Sequence, residues 1–247
     1  MNKRKGLLKF FVLCFCRPGN RIYLFFHFVK TIQLINLIMK KLFLISAALV
    51  WMGCVASQEL KPIELLQPDK TRGLPVMQAL SVKASVREYS KKPLELQDLS
   101  DLVWAANGIN RPDDGKRTAS SALNAQDVDI YVIMENGVYL YNATKRVLDP
   151  VVAGDYRSTV GKTDAPVTLV LISDVTRFRF GEDMQRTAWA NIDAGIVSQN
   201  ISLFCAATGL KTCPKAGFPG MDKLREALKL QTTQYVILNH PVGYEKE

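Results

Sequence analysis

Three short segments carry the side chains best suited to holding an anionic, flat ligand. The first is Lys83-Ala84-Ser85-Val86-Arg87-Glu88-Tyr89. In an extended chain, alternation puts Lys83, Ser85 and Arg87 on one side, two cations flanking a hydroxyl. Charged donors make stronger hydrogen bonds than neutral ones, so this trio suits a dianionic phosphate. The same pattern also occurs on a solvated strand edge. The second segment runs from Arg117 to Gln126, with Thr118, Ser120, Ser121 and Asn124 as short hydrogen-bonding side chains. A helix N-cap by Ser120 or Ser121 accounts for part of it without any ligand. The third is Gly209-Leu210-Lys211-Thr212-Cys213-Pro214-Lys215-Ala216-Gly217-Phe218. Glycine lets backbone amides approach a flat ring closely, although Gly217 also reads as ordinary turn punctuation.

Other chemistries fall away on spacing. Val160-Gly161-Lys162-Thr163 ends like a phosphate-binding loop, but Tyr156 stands where that loop needs its first glycine. No G-x-G-x-x-G follows a strand pattern, so no built-in dinucleotide fold is expected. His240 is the only histidine beyond the leader. Without Cys or carboxylate partners at ligand spacing it builds no metal site, and it reads as a satisfied residue at the rim. No serine sits in a G-x-S-x-G turn, which removes the hydrolase reading. No residue pair is assigned as a catalytic acid and base.

The elements that must position these segments follow from periodicity. A short helix is expected within 74–84. A clearer one spans 94–107, with Leu96, Leu99, Leu102, Val103 and Ala106 at helical spacing and Gly108 as a stop. Val128–Met134 and Val138–Tyr141 read as strands joined through Asn136-Gly137, a hairpin signal. VTLVLISDV, from Val167, is apolar enough for a central strand buried on both faces. The longest helix is expected from Asp183 to Thr208, ended by Gly209, with Ile192, Ile196, Leu203 and Ala207 marking one side. Ala188, Ala190, Ala194 and Gly195 would allow another helix to approach closely. A last helix is expected over 219–230 and a last strand over 234–239. Helices, a hairpin, then strand, helix and strand make an α+β domain over 74–247 rather than a strict βαβ alternation.

Residues 58–73 read as a tether or as an arm wrapping a neighbour. Residues 1–57 read as a leader. They hold nine basic side chains and no acid, out of 32 basic and 23 acidic residues in the chain. The remainder is therefore balanced at 23 of each, and the net charge of +9 belongs to the leader. Nucleic acid is excluded as a partner, because the rest of the chain offers no basic excess. From Met39 the leader has two lysines, an apolar run and then small residues, the layout of a signal peptide with Gln58 as the new N-terminus. Lipid attachment at Cys54 is an alternative, weakened by the bulky Trp51 and Met52 before it. Residues 1–38 read as an upstream extension rather than a membrane hairpin, because Lys30 interrupts their apolar run. An exported protein, periplasmic or envelope-bound, is the expectation. Cys205 and Cys213 are expected as buried free thiols, although export would permit a bridge.

In their order and separation the three segments resemble the FMN-dependent nitroreductase family, particularly small members related to azoline dehydrogenases. That family opens with an R-x-S-x-R-like phosphate segment, matched by Lys83, Ser85 and Arg87. A Ser-rich turn resembling Ser121 to Gln126 follows, then a long helix, a G-[LI]-x-x-x-P run and a flavin-contacting glycine, here Gly217 after Ala216. The resemblance covers about 170 residues, from Leu74 to Tyr244. It implies a central mixed or antiparallel sheet flanked by helices, and an intertwined homodimer. It also implies FMN at the interface, held by Lys83, Ser85, Arg87, Ser121, Asn124, Ala216 and Gly217. NAD(P)H would supply electron pairs for a small acceptor such as a nitro compound or quinone. The chain departs from the family in lacking a late cation other than Lys246, in having Ala216 where some members carry an acid, and in offering no catalytic Lys-Tyr pair. An exported flavin-bearing relay, or a dehydrogenase or oxidase of another substrate without NAD(P)H turnover, remains the alternative.

Overall fold

The computed structural model describes residues 38–40 and 59–246. Cys54, the cut before Gln58 and all but residues 38–40 of the signal peptide and upstream extension lie outside those residues. Among the described residues no helix is long and apolar enough to cross a membrane.

From residue 59 onward the first element is a two-residue strand, β1 (Ile63–Glu64), followed by helices α1 (Val76–Val82) and α2 (Leu96–Asn107). A small ribbon, β2 (Ile109–Arg111) and β3 (Lys116–Arg117), leads to the hairpin β4 (Val128–Met134) and β5 (Gly137–Asn142). Then come β6 (Val147–Ala153), β7 (Val167–Asp174), the long helix α3 (Asp183–Thr208), β8 (Lys211–Thr212), α4 (Met221–Ala227) and β9 (Gln234–Gly243). Seven strands form one sheet in the order β1-β6-β5-β4-β7-β9-β8, antiparallel at every pairing.

Strand alternation splits the core in two. Val128, Ile130 and Val132 of β4, with Val167, Leu169 and Leu171 of β7, face α2 and α3. Tyr131 and Ile133, with Val170 and Ile172, face Leu224 and Leu228 at α4. β7 is buried on both faces, as its continuous apolar run predicts.

Strand β6 has no counterpart among the sequence expectations. Pro150 lies within it, and proline lacks the donor a ladder uses. The structure absorbs it at a register shift opposite Tyr139. At the β4–β5 turn Glu135 and Asn136 form the loop, and Gly137 is already paired with Met134. Gly137 is needed for close approach: a Cβ there would lie 2.6 Å from the Leu60 side chain.

Residues 59–73 lie along their own domain. β1 pairs with β6, the Leu66 amide donates to Ser100 Oγ at 3.0 Å, and Arg72 bridges Asp98 at 2.7 Å and Asp101 at 2.9 Å.

Helix α3 keeps its expected bounds, and Gly209 caps it in the left-handed region at φ 82°, which glycine adopts without strain. Its inner face differs from expectation. Ala190, Asp193, Ala194, Val197, Ser198, Ile201, Ser202 and Cys205 are buried, whereas Ile192 is 60% exposed. Asp193, Ser198 and Ser202 share the inner face with Val197, Ile201 and Cys205, while Ile196 packs partly against the core, so apolar spacing alone did not fix which side faces inward. Of the small residues, Ala190 and Ala194 pack inward while Ala188 and Gly195 face outward.

Candidate functional site

The cationic segment leaves α1 at Lys83 and runs extended. Its Val86 amide donates to the Thr212 carbonyl at 3.0 Å, tying it to β8. Buried Tyr89 donates its hydroxyl to the Val86 carbonyl at 2.6 Å. Alternation then sorts the side chains. Val82, Ala84 and Val86 line a crevice of about 100 Å³ against Ser202, Cys205 and Ala206 of α3. Lys83, Ser85 and Arg87 face the other way, exposed. Among the described residues none of the three makes a side-chain hydrogen bond or ion pair. Lys246 lies nearby, 3.8 Å from Glu88.

The second segment folds into a 3-10 turn, Ala122–Asn124. Leu123 (φ 55°), Asn124 (φ 53°) and Gln126 (φ 49°) all adopt left-handed backbone. Each costs on the order of 1–2 kcal/mol for a residue with a Cβ. Such a turn persists only if its surroundings hold it, and they do. Asp193 Oδ2 accepts from the Ala122 amide at 2.8 Å. Ser121 Oγ accepts from the Gln126 amide at 2.9 Å, so it closes the turn rather than capping a helix. Arg117 donates to Gln126 Oε1 at 2.8 Å and Arg177 to the Gln126 carbonyl at 2.8 Å. The tip, Leu123 and Asn124, stays exposed.

The third segment follows Gly209. β8 pairs with β9, and Lys215 and Asn239 exchange backbone hydrogen bonds at 2.8 and 2.9 Å. Asn239 Nδ2 donates to the Gly217 carbonyl at 3.0 Å. Ala216 and Gly217 are exposed, and a Cβ built on Gly217 would meet nothing within 4 Å. This stretch of backbone therefore faces open space while being held from behind. Cys205 and Cys213 are both buried free thiols.

His240 is fully buried, not at the rim. Its Nε2 lies 2.8 Å from Ser198 Oγ and its Nδ1 3.3 Å from Thr212 Oγ1. Burial, with neighbouring Lys83, pushes its pKa down to about 3. A neutral imidazole thus joins α3 to the strand that holds Val86.

The first and third segments share a brace, since Val86 is bonded to Thr212 and Thr212 to His240. The second hangs from α3 through Asp193. No hydrogen bond among the described residues joins Ser121–Gln126 to Lys83–Arg87: Ser121 and Gln126 line a small cavity beside Asp193, and Ala84 and Val86 a separate crevice beside Cys205. Asp127, Asp193, Asn239 and His240 were not foreseen as site-building residues. An Asp or Asn inside an apolar stretch is the signal that could have exposed them.

The model of the nitroreductase family matches residues 81–244. A protein of Methanocaldococcus jannaschii named as a nitroreductase is 30% identical over 179 residues, covering 67% of this chain and 88% of its own. A nitroreductase-type crystal structure from Ralstonia eutropha superposes with a TM-score of 0.72 at 32% identity, covering 77% of this chain and 92% of that one. The microcin synthetase complex of Escherichia coli contains a chain with a TM-score of 0.57 at 17% identity, covering 79% and 82%, a likeness of fold alone.

Proposed function

The chain belongs to the nitroreductase family, a family of oxidoreductases, and from that premise we propose that it binds FMN and passes electron pairs from NAD(P)H to a small organic acceptor such as a nitro compound or quinone. The observation that carries this reading is the strained turn at Leu123–Gln126, braced from four sides yet exposed at its tip. Strain held so firmly on a surface calls for a ligand that uses the shape.

The residues present fit the cofactor. Lys83, Ser85 and Arg87 offer exposed donors of the right charge for the phosphate. Ala216 and Gly217 offer open backbone to a flat ring, and Asn124 an exposed amide at the turn. Bound FMN would supply the two-electron chemistry, while the protein binds, orients and shields. His240, held neutral, adds no charge behind the site. No side chain is assigned a proton-transfer role.

The pocket requires a second copy. Val76 (68%), Met77 (76%), Val82 (56%), Met184 (84%) and Ile192 (60%) are exposed apolar side chains on α1 and α3. Exposed apolar surface of this extent marks an interaction face. A homodimer packed through these helices would bring the Ser121–Asn124 turn of one protomer toward the Lys83–Arg87 segment of the other.

The leader carries a second question. A chain exported through a signal peptide starting at Met39 and cut before Gln58 meets little reduced nicotinamide, and a flavin-bearing relay or a dehydrogenase of another substrate then fits better. N-terminal sequencing of the protein recovered from the cell envelope tests the cut. The visible spectrum of the purified protein, followed by stopped-flow reduction with NADH and NADPH, tests the rest. A flavin spectrum bleached by either supports the reductase. A flavin that neither bleaches supports the relay, and a colourless protein that takes up no FMN sinks both.

A further inference from the structure

We infer that Asp127 and Asp193 share a single proton and together act as positioning residues for the Ser121–Asn124 turn. Asp127, as a neutral acid, donates through Oδ1 to Asp193, whose Oδ2 holds the Ala122 amide. The consequence for cofactor binding rests on the FMN reading above; the shared proton does not.

Both side chains are buried, Asp127 at 0% and Asp193 at 2% exposure, and they lie within hydrogen-bonding reach of each other. Asp127 sits just before β4 and Asp193 on the inner face of α3. Asp127 Oδ2 accepts from the Ser173 hydroxyl. Its Oδ1 is fully enclosed and has no donor. A buried carboxylate oxygen without a donor is costly, and a proton placed on it removes the cost by making it the donor. The space beside the pair is a cavity of about 10 Å³ lined by both carboxylates, Asn107, Ser120, Ser121 and Gln126. It holds one water at the limit, and no hydrated counter-ion.

Among the described residues, the two arginines near the pair are already committed and leave no cation to neutralise a second charge. Arg177, which faces Asp127, is bonded to Asp129 at 2.5 Å and sits 3.8 Å from Asp174. Arg117 is committed to Gln126 and to the Asn107 carbonyl. Two ionised carboxylates in this position would repel with little screening. Burial, with Asp193 alongside, pushes the Asp127 pKa up to about 7 against the lowering influence of Ser173. With the proton in place Asp193 is fixed and the left-handed turn keeps its anchor. Loss of the proton drives the carboxylates apart and takes the Ala122 bond with them.

The test follows wild type and Asp127→Asn over about pH 5.5 to 8.5, with FMN affinity read by flavin fluorescence and amide exchange read on the peptide spanning Ala122. In wild type the FMN Kd rises at least about fivefold above pH 7 and the Ala122 peptide loses protection over the same range. Asp127→Asn keeps a neutral donor that cannot titrate, so both profiles become flat. Should that variant not fold, Asp193→Asn gives Asp127 a donor in place of a like charge, and the transition moves to lower pH. A wild-type protein whose Ala122 protection factor does not change with pH, or an Asp127→Asn protein that titrates as wild type does, overturns the proposal. FMN binding that ignores pH while exchange follows it overturns the positioning role. If FMN fails to bind at every pH while exchange at Ala122 still follows Asp127, the pair stands and the flavin reading falls.

Discussion

The side-chain amide of Asn239 holds the carbonyl of Gly217 at 3.0 Å, from a strand 22 residues further along the chain. The neighbouring His240 holds Thr212 and, through that residue's carbonyl, the Val86 amide. One buried dipeptide of β9 thereby fastens two segments whose only regular structure is the two-residue strand β8. In the FMN reading these are the phosphate cradle and the ring support.

Removing the phosphate donors should cost binding but not stability. Lys83 and Arg87 are exposed and touch no partner among the described residues, so nothing in the fold depends on them. Arg87→Ala is expected to weaken FMN by at least about 1.5 kcal/mol, the low end for a hydrogen bond to a charged group. Lys83→Ala should weaken it less, since lysine lacks the bidentate fork. Fluorescence titration at two salt concentrations measures both, and thermal melts of the apoprotein should coincide with wild type. Unchanged affinity in Arg87→Ala refutes the cradle.

Asn239→Ala removes the side-chain hydrogen bond that holds the Gly217 carbonyl while leaving the backbone exchange with Lys215. Its own Oδ1 has no partner, so the native amide already bears a desolvation cost that truncation relieves. Loss of global stability should therefore be modest, on the order of 1 kcal/mol. The flavin spectrum is the sensitive readout: a loosened Gly217 lets the ring environment vary, broadening the visible bands and raising the Kd. A variant with wild-type spectrum and affinity would show that Gly217 does not support the ring.

Gly195 gives opposite expectations for a protomer and a dimer. It lies on the outer face of α3, and a Cβ there would meet nothing within 4 Å in the single chain. In an isolated protomer Gly195→Ala should stabilise by about 0.8–1 kcal/mol through helix propensity alone. If α3 packs closely on a second copy at this point, the added methyl instead weakens the assembly. Sedimentation over a concentration series, with urea melts at the same concentrations, separates the cases. A more stable protein with unaltered self-association removes this stretch of α3 from the interface.

Much of the fold was legible because its elements announce themselves locally. Asp183 and Gly209 bound α3, the apolar run from Val167 marks a strand buried on both faces, and β4 follows from Val128–Met134. The inner face of α3 was not legible. Periodicity registers apolar residues, and here Ile192 points out while Asp193, Ser198 and Ser202 point in. Ser202 bonds back to the Ser198 carbonyl within the helix, but the other two meet partners that sequence does not place near them: Ala122 lies 71 residues from Asp193, and His240 lies 42 from Ser198. β6 was hidden by Pro150 for a related reason, since a register shift in the partner strand makes it tolerable. The site shows the same division. Its ligand-facing residues stand in an ordered pattern along the chain, but the braces behind them are single polar residues whose meaning exists only in the folded protein.

His240 and Asp127 should make stability respond to pH in opposite directions. His240 is pushed down to about 3 from an ordinary 6.5. The unfolded chain then takes up a proton that the folded one refuses. The stability this represents is complete above pH 6.5 and is lost as pH falls toward 3. From pH 7 to pH 5 the loss is about 2 kcal/mol. Asp127 is raised to about 7, so the folded chain keeps a proton that the unfolded one releases. That stability is present in full below about pH 4 and is lost as pH rises through 7, a gain of about 2 kcal/mol on going from pH 7 to pH 5. In wild type the two contributions nearly cancel over this window. Asp127→Asn should unmask the histidine and become less stable at pH 5 than at pH 7. His240→Asn should unmask the acid and become more stable at pH 5. Urea unfolding of the three proteins at both pH values decides the matter, and parallel pH responses in the two variants would contradict both assignments.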